Sequence, residues 1–399
     1  VDIFQWEKNR APFPVLGANF FYAGTDHPFA QAHTIIERDG IRIGVIGIMG
    51  QDARTAIIPS YIAPLDVTDP AEAVRKSVAE LRDQVDLIVL LTHQGKTAPM
   101  QTDAETDPRL QRDIDADIGL ADAVEGIDVL LAGHADAGTP AAVISPKNGT
   151  LIMQTYGQAT HLGYLQLTLD GESGEIKAHD GKLIPVESNK LEPDQRIVAK
   201  LTQYRDAHSN ILSKVGTINA PLIRRYIEES DMGNLFADIM AEAGEADIGM
   251  VHSGSLRKDI GQGDVMLVDI LDAYPFVDSV LVKDLSGDQI RRALEQSLTF
   301  ERGILQLSGL EMTYDLSQPN YSRIVTLTRH GETVTDDDRF TVAAGGFLAE
   351  GGDYFVSFAE SEVVRDAGKV SDVFVAYFQS QDIVTVPPRG RQWDISEDR

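Results

Sequence analysis

The chain has 399 residues, 43% hydrophobic and 24% charged, a balance that allows two domains of ordinary size and argues against intrinsic disorder. Acidic residues outnumber basic ones by 62 to 35, and the net charge of -27 repels polyanions, which argues against a nucleic-acid polymer as partner. The absence of cysteine excludes disulfides, zinc–thiolate sites and thiol nucleophiles, and no apolar stretch reaches the ~20 residues of a membrane span.

The first half of the chain predicts an α/β sheet. Residues 41–49 form a continuous β-branched run, a pattern typical of a strand covered on both faces. A helix is predicted from Pro70, capped by Asp69. Its apolar face comprises Val74, Val78 and Leu81. Two more apolar runs, residues 87–91 and 128–131, predict buried strands, and polar residues past the strand ends place the chemistry along one rim of the sheet.

A single amphipathic helix is predicted between Asp194 and Leu212, and we interpret it as the connector between two domains. Its apolar positions recur at helical spacing: Ile197, Leu201, Tyr204 and Leu212. The remainder is predicted to mix short strands with helices over residues 234–242 and 287–297. Its glycines concentrate in three predicted loops: residues 252–257, 261–264 and 345–352.

Two histidines are candidate metal ligands. His93 and His134 each follow a predicted buried strand, where the sheet fixes the backbone and the side chain can face a cleft. Asp136 lies two residues after His134, and in an extended segment both side chains project on one face, so that one ion could be held by imidazole and carboxylate together. The alternative is that each histidine only makes a hydrogen bond at its strand end.

A second candidate site is the segment His252-Ser253-Gly254-Ser255-Leu256-Arg257, which follows a predicted strand at residues 248–251. Small residues let backbone N–H groups approach an anion, and Arg257 supplies a planar guanidinium for bidentate contact. The alternative is a tight turn that carries a surface arginine.

Two phenylalanines are candidates for stacking on a planar base. Phe347 lies in a glycine-rich segment, where a loop position suits stacking better than core packing. Phe276, which follows Pro275, offers a second aromatic wall. The alternative for both is ordinary core packing, the commoner position of phenylalanine.

These segments together resemble the bacterial and animal 5′-nucleotidases, a family that includes UDP-sugar hydrolases. Matching motifs occur in the family's order through most of the chain, which argues against chance. They are residues 13–19 (FPVLGAN), 92–95 (THQG), 133–136 (GHAD), 229–235 (ESDMGNL), 253–257 (SGSLR), 275–276 (PF) and 347–353 (FLAEGGD).

The resemblance implies an α/β (α+β) fold in three parts. These are a truncated four-layer αββα metallophosphoesterase domain over residues 1–191, a linker helix over 192–212 and an α/β C-terminal nucleotide-binding domain over 213–399. It also implies a nucleotide substrate, a periplasmic or secreted location, and a C-terminal domain that rotates to deliver the phosphate.

Two divalent metal ions are implied as well, drawn from Mn²⁺, Zn²⁺, Mg²⁺ and Ca²⁺, with His93, His134 and Asp136 as ligands. Asp136 replaces the family's usual histidine or glutamine, and the added charge favours a hard ion such as Mn²⁺ or Mg²⁺. The family's opening motifs "DxH", "GD" and "GNHE", which supply further ligands and the catalytic histidine, do not occur here. We therefore expect this chain to be the larger part of a longer enzyme, inactive by itself and without a catalytic residue of its own.

Contacts to the phosphate or to other polar groups of the substrate are implied for Arg257 and for one of Arg224 or Arg225. Ser253 and Ser255 stand where the family has glycines; they narrow the loop and add hydroxyl donors.

Contacts to the nucleoside are implied for four residues. Phe276 and Phe347 would enclose the base, and Asp353 would accept a hydrogen bond from a ribose hydroxyl. His252 stands where the family has a base-contacting asparagine, and Asp278 where an asparagine often follows "PF", so the base preference stays open.

The leading hypothesis is hydrolysis of nucleoside 5′-monophosphates, or of UDP-sugars or 2′,3′-cyclic nucleotides, to release phosphate. The scaffold also resembles the thiosulfohydrolases of sulfur oxidation, but the aromatic pair favours a base over a sulfonated peptide thiol. A third possibility is a nucleotide-binding module without catalysis.

Overall fold

The computed structural model describes residues 2–96, 111–171 and 173–396. The chain forms a mixed α/β structure of two compact units, Val1–Leu191 and Glu192–Arg399. None of the helices in the described ranges combines the length and the hydropathy that a membrane crossing requires.

The first unit is built on a six-stranded sheet. Its helices are α1 (Asp2–Arg10), α2 (Gln51–Thr55), α3 (Pro59–Ile62), α4 (Pro70–Leu81) and α5 (Asp115–Ala123). Its strands are β1 (Phe20–Tyr22), β2 (His33–Arg38), β3 (Ile41–Met49), β4 (Leu65–Val67), β5 (Leu87–Gln94), β6 (Val129–His134), β7 (Val143–Ile144), β8 (Leu151–Gln154), β9 (His161–Leu169) and β10 (Ile176–Pro185). The sheet has the order β2-β3-β5-β6-β8-β7, and its neighbours from β3 to β8 run parallel.

The predictions for β3 and α4 are confirmed. β3 covers the predicted residues 41–49, and α4 begins at Pro70. Asp69 caps α4, because its carboxylate accepts a hydrogen bond from the backbone N–H of Glu72 at 2.8 Å. Val74 and Leu81 are fully buried in the core between α4 and the sheet. Helical spacing therefore predicted the face of α4 that packs on the strands.

One face of the sheet departs from the prediction of strands covered on both sides. Leu91 and Leu131 are each 40% exposed, whereas Leu90 and Leu130 are fully buried. Successive side chains of a strand point to opposite faces, so α4 and α5 pack on the face of Leu90 and Leu130. On the other face, β9 borders a groove of about 420 Å³ beside Leu131. The prediction was wrong at these positions because an apolar run does not reveal which elements flank a sheet.

The second unit contains a five-stranded and a four-stranded sheet, with the orders β15-β12-β19-β14-β20 and β18-β17-β16-β21. Its helices are α6 (Gln195–Ala207), α7 (Asp231–Ala243), α8 (Leu267–Ala273), α9 (Gly287–Ser297), α10 (Gly346–Ala349), α11 (Val356–Ala359) and α12 (Val370–Ser380). Its strands are β11 (Lys214–Ile218), β12 (Ile248–His252), β13 (Gly263–Met266), β14 (Ser279–Ser286), β15 (Leu305–Ser308), β16 (Glu311–Tyr314), β17 (Ile324–Arg329), β18 (Glu332–Thr333), β19 (Arg339–Gly345), β20 (Val363–Lys369) and β21 (Gln392–Asp394).

The helix predictions in this unit are confirmed for α9 and corrected elsewhere. α9 covers the predicted residues 287–297, and Ser286 and Gln289 form a capping box at its start. α7 begins at Asp231, three residues before its predicted start, because Ser230 caps it. The single helix predicted up to Leu212 is wrong: α6 ends at Ala207, and a separate 3₁₀ turn follows. Serine and asparagine after the break favour turns over helix interiors.

The apolar positions of the predicted connector do not form a buried face. Ile197, Leu201, Tyr204 and Leu212 are each between 54% and 58% exposed. The role of α6 as a linker and the domain boundaries at residues 191 and 212 remain predictions.

Candidate functional site

Two histidines lie side by side in the first unit. β5 and β6 pair in parallel, with His93 opposite Gly133 and Gln94 opposite His134. His93 Nε2 and His134 Nδ1 are 3.1 Å apart, and the ring centroids are 4.5 Å apart. Both residues lie within their strands, which end at Gln94 and His134, rather than after them as predicted. Strand register therefore brings together two side chains that are 41 positions apart in sequence.

The surroundings of His93 favour the neutral form of its imidazole. Burial lowers the pKa of its imidazole, while the negative charge of Asp52 acts in the opposite direction. Asp52 also accepts a hydrogen bond from the backbone N–H of Gly95 at 2.7 Å, which holds the chain just after β5. A neutral imidazole keeps a nitrogen lone pair, the state in which histidine binds metals.

A buried polar network, which no sequence pattern indicated, supports the end of β5. The carboxylate of Asp117 accepts hydrogen bonds from the Thr92 hydroxyl at 2.7 Å and from the amides of Gln94 at 2.9 Å and Gln154 at 3.4 Å. Burial raises the pKa of Asp117. Thr92 and Gln94 flank His93 and point to the opposite face of the strand, so the network fixes β5 without occupying the face of His93.

Asp136 is not oriented as the sequence analysis assumed. His134 has a φ of 82° and Asp136 a φ of 56°, so both lie in the left-handed region and the segment is not extended. The argument that both side chains share one face is therefore wrong. The Asp136 carboxylate lies against Gly157, where an added Cβ would meet its Oδ2 at 2.4 Å. Across residues 2–96, 111–171 and 173–396, no three His, Asp or Glu side chains form a group that could hold a metal ion.

The chemistry of His93 and His134 nevertheless fits a divalent ion. Imidazole nitrogen is a common ligand of Zn²⁺ and of other divalent transition metals. Structural and catalytic sites for such ions have four or more ligands. Within the described ranges the structure brings two predicted ligands together, and the metal-binding roles of His93, His134 and Asp136 remain predictions.

In the second unit, parallel pairing brings His252 beside the glycine-rich segment. β12 and β19 are parallel neighbours, with Met250 opposite Ala344. Their carboxyl ends meet at one edge of the sheet, so His252 at the end of β12 lies next to the residues that follow β19. The ring of His252 is edge-on to Phe347 and Phe355, at centroid distances of 6.2 Å and 5.7 Å.

His252, Asp353 and Arg302 form a buried polar cluster. His252 Nε2 lies 3.6 Å from Asp353 Oδ2, and Arg302 Nε lies 3.7 Å from Asp353 Oδ1. The side chains of His252, Asp353 and Arg302 are 5%, 11% and 9% exposed, respectively. Burial, together with the charges of Arg257 and Arg302, lowers the pKa of His252 to about 3. Burial raises the pKa of Asp353 to about 6, against the opposite effect of the same arginines. At neutral pH the histidine is neutral and the carboxylate is charged, so the two do not form an ion pair.

Phe276 and Phe347 are connected through two buried polar residues. Phe276 is 40% exposed and packs edge-on against Tyr274, with centroids 5.7 Å apart. The guanidinium of Arg257 lies 5.4 Å from the centre of the Phe276 ring. The Tyr274 hydroxyl donates to Asp278 Oδ2 at 3.4 Å, and the same oxygen accepts from the backbone N–H of Phe347 at 3.2 Å. These contacts place the predicted aromatic pair and Arg257 in one region of the unit.

Phe347 lies in a short helix, α10, rather than in the predicted loop. The residue is half-buried. Its ring packs against Gly352, where an added Cβ would lie 2.4 Å from Phe347 Cε2. Glycine is therefore needed at position 352, because a side chain there would collide with the Phe347 ring. The next residue, Asp353, has left-handed backbone with a φ of 50°.

Arg224 and Arg225 each contact an acidic neighbour. The backbone N–H of Arg224 donates to Asp259 at 2.9 Å, and its guanidinium Nε lies 3.8 Å from the same carboxylate. Arg225 pairs with Glu228 at 2.8 Å, and its side chain is 42% exposed. To bind either arginine, a phosphate would have to displace the neighbouring carboxylate. The substrate-binding role of Arg224 or Arg225 stays a prediction.

No sequence pattern indicates Arg302, Tyr274 or the cavity beside Asp353. This cavity has a volume of about 510 Å³, and Arg302, Asp353 and Tyr354 line part of it. Arg302 follows α9 in an ordinary turn, and no local pattern distinguishes it from other surface arginines. Only its position in the folded unit shows its contact with Asp353.

Comparison with known proteins supports the resemblance seen in the motifs. The family described as "5'-nucleotidase, C-terminal domain" matches residues 214–360. The trifunctional nucleotide phosphoesterase protein YfkN of Bacillus subtilis is 27% identical over 366 residues, which cover 86% of this chain and 23% of YfkN. The 5′-nucleotidase of Vibrio cholerae is 25% identical over 423 residues, covering 92% of this chain and 73% of that protein. The chain is thus similar to 5′-nucleotidases, and the match to the family's C-terminal domain lies within the second unit.

A solved 5′-nucleotidase structure shares the fold of both units. The 5′-nucleotidase precursor of Thermus thermophilus superposes with a TM-score of 0.79 at 24% identity, covering 98% of this chain and 80% of that one. The predicted mixed α/β architecture is thereby confirmed. The relatives are nucleotidases and phosphoesterases, which are hydrolases, although the chain spans only 23% of the length of YfkN.

Proposed function

We propose that this chain acts in the metal-dependent hydrolysis of nucleotides to nucleoside and phosphate. The proposed substrates are nucleoside 5′-monophosphates, with UDP-sugars and 2′,3′-cyclic nucleotides as related ones. The observation that carries the proposal is the grouping of Phe276, Arg257, Phe347 and Asp353 in the second unit. An aromatic pair, a cation and a buried carboxylate match the base, the phosphate and the ribose of a nucleotide.

In this proposal the base stacks on Phe276 and Phe347. Phe276 suits this role because its ring is 40% exposed and is supported from behind by Tyr274. Phe347 is held by its backbone hydrogen bond to Asp278 and by packing on Gly352. Walls that are fixed before binding lose little conformational entropy when the base enters.

Arg257 and one of Arg224 or Arg225 would contact the phosphate. The net charge of -27 makes such local cations necessary for an anionic substrate. The guanidinium of Arg257 lies 5.4 Å from the centre of the Phe276 ring, which places this cation beside the proposed base site.

His93 and His134 would supply two ligands of a divalent ion in the first unit. A bound divalent ion stabilises charge on phosphoryl oxygens and lowers the pKa of a coordinated water. The chain's own contribution is to hold the two imidazoles in place, through Asp52 after β5 and through the Asp117 network behind it. Asp136, in its left-handed backbone segment, is the third proposed ligand.

A second candidate is a nucleotide-binding module without catalysis. This candidate is favoured because, of the three predicted metal ligands, two lie together in the described residues: His93 and His134.

Calorimetry and a phosphate assay on the same protein distinguish the candidates. Adenosine, uridine and AMP are titrated into the chain, and phosphate release from AMP is followed with Mn²⁺ and with EDTA. Binding together with EDTA-sensitive phosphate release supports hydrolysis. Binding without release supports the module if release is also absent from a longer form that supplies the "DxH", "GD" and "GNHE" motifs. Absence of binding by all three ligands refutes both candidates.

Periplasmic or secreted location is part of the same proposal and rests on the family resemblance. Cell fractionation of the native host, with the protein recovered in the cytoplasm, would contradict it.

A further inference from the structure

The cavity beside Asp353 carries an inference about a second ligand. We propose that this cavity binds a neutral sugar, which packs against the rings of Tyr321 and Tyr354 and forms hydrogen bonds with Ser357 and Asp353. The site goes beyond the proposed nucleotide function and does not depend on it.

The cavity adjoins the proposed base site but offers different contacts. Its volume is about 510 Å³, within the ~300–1,000 Å³ usual for small-molecule sites. It is lined by α9, by the turn after α9, by Tyr321 and by the segment that follows β19. Asp353 belongs to this wall, whereas Phe276 and Phe347 are not among its residues. The cavity therefore provides a second set of contacts, of which the nucleotide proposal uses only Asp353.

Two buried polar atoms on residues of the cavity wall have no hydrogen-bond partner among the described residues. They are Ser357 Oγ and Asp353 Oδ1, and these residues are 3% and 8% exposed as a whole. Asp353 Oδ1 lies 3.7 Å from Arg302 Nε, which is beyond hydrogen-bond distance. The carboxylate oxygen requires a donor, and the serine hydroxyl can both donate and accept. A ligand that carries several hydroxyl groups would satisfy both atoms, which are unfavourable when buried without a partner.

The charged side chains of the wall balance each other. Three arginines and three carboxylates line the cavity: Arg291, Arg292, Arg302, Glu295, Glu301 and Asp353. An anionic ligand would meet the carboxylates, and a cationic ligand would meet the arginines. Arg292 is also paired with Asp288 and Glu360, and Glu295 accepts hydrogen bonds from the backbone N–H groups of residues 323 and 324. The balance favours a neutral ligand.

Two tyrosines in left-handed backbone supply aromatic surface to the cavity. Tyr321 and Tyr354 each have a φ of 66°, and they are 65% and 50% exposed. Bulky residues rarely adopt this backbone region, and such strain is concentrated at ligand sites. The guanidinium of Arg302 lies 5.9 Å from the centre of the Tyr354 ring and stabilises the ring at the wall. Exposed aromatic faces pack on the C–H face of a sugar ring, whose hydroxyls remain available for the polar residues around it.

The test is calorimetry of the full chain with four neutral sugars as probes: D-glucose, D-galactose, D-ribose and N-acetyl-D-glucosamine. Inorganic phosphate is titrated in parallel as an anionic probe. At least one sugar should bind, and it should bind more tightly than phosphate. The sugar that binds most tightly is then used with the variants.

Ser357→Ala removes a hydroxyl that has no partner in the described fold. It should weaken sugar binding by ~2–10-fold, while the free energy of unfolding in urea should not fall. Ser297→Ala is the matched control, because Ser297 is a buried serine whose hydroxyl donates to the Leu294 carbonyl at 2.8 Å. The control should lower the free energy of unfolding and leave sugar affinity unchanged.

Tyr354→Asn removes the aromatic ring and introduces a residue that tolerates left-handed backbone. It should weaken sugar binding by ~2–10-fold, again without lowering the urea midpoint, because the relieved strain offsets the lost contacts. Tyr354→Gly provides the same comparison if the asparagine variant does not fold. Tyr204→Ala, at a 57% exposed tyrosine on α6, should leave sugar binding unchanged.

Three results would overturn the inference: no binding of any of the four sugars, tighter binding of phosphate, or wild-type sugar affinity in either Ser357→Ala or Tyr354→Asn. A further titration of the sugar is made with adenosine at saturation. Sugar binding that persists supports a separate site, and binding that adenosine abolishes would show that the cavity belongs to the nucleoside site and would also overturn the inference. If adenosine itself does not bind, the proposed function fails, and the first titrations still decide the sugar site.

Discussion

Replacing Phe347 by alanine removes one proposed wall of the base site and leaves the rest of the cluster in place. The backbone N–H of residue 347 can still donate to Asp278, so α10 keeps its connection to the Tyr274 side of the site. The ring is half-buried and packs on Gly352, and the stability cost should therefore be less than the ~3–5 kcal/mol typical of a phenylalanine in a closed core.

The expected loss of nucleoside affinity follows from the energy of stacking. One base stacked on an aromatic side chain contributes about 1–3 kcal/mol, and each ~1.4 kcal/mol changes the Kd tenfold. Phe347→Ala should therefore raise the Kd of adenosine and of uridine by ~5–150-fold. Ligands without a base should lose no affinity, because they never contact the ring.

The assay is calorimetry with adenosine, AMP and ribose 5-phosphate, the last of which has no base. Phe347→Tyr keeps the aromatic face and should bind nucleosides almost as the wild type does. Tyr204→Ala is a matched control, because Tyr204 is a 57% exposed aromatic of the same unit that lies on α6, outside the proposed stack. Equal losses for AMP and ribose 5-phosphate in Phe347→Ala would refute the stacking role, as would unchanged adenosine affinity.

Three further predictions concern single positions. His134→Ala should lower the affinity for Mn²⁺ or Zn²⁺, measured by calorimetry, by at least the ~10–100-fold typical of changes around a metal ligand. An affinity equal to that of the wild type would show that His134 is not a metal ligand. His27→Ala serves as a control at an exposed histidine. Gly352→Ala places a Cβ 2.4 Å from the ring of Phe347 and should weaken adenosine binding. Gly261→Ala is the control, because its Cβ meets open space, and it should leave adenosine binding unchanged. Equal adenosine affinities in the two variants would contradict this prediction. Asp69→Ala removes the cap of α4 and should lower the free energy of unfolding in urea by about 1 kcal/mol, and Asp69→Asn should retain most of it; an unchanged midpoint in the alanine variant would show that the cap contributes nothing.

The amino-acid sequence by itself determined several local elements and the resemblance to 5′-nucleotidases. β3 and α9 cover the residues that their patterns predicted, and α4 begins where Asp69 and Pro70 indicate. Capping, helical spacing and β-branched runs act between residues a few positions apart, so a linear pattern contains the necessary information. The motifs likewise identified His93 and Phe347 as candidates, because short segments preserve the chemistry of a site.

Tertiary structure decided which candidates meet. Parallel pairing of β5 and β6 places the imidazole nitrogens of His93 and His134 3.1 Å apart, while left-handed backbone at His134 turns Asp136 away from the predicted arrangement. Strand register and the side of a sheet that remains exposed depend on contacts between distant segments, which no local pattern records.

Charge states in the second unit also depended on the fold. His252, Arg302 and Asp353 come from three separate segments, and their mutual distances of 3.6 Å and 3.7 Å arise only when β12, the turn after α9 and the residues after β19 meet. Burial at that meeting point lowers the pKa of His252 and raises that of Asp353. The cost of placing charge in a low-dielectric interior is set by every neighbouring segment, and therefore by the tertiary structure rather than by the order of residues along the chain.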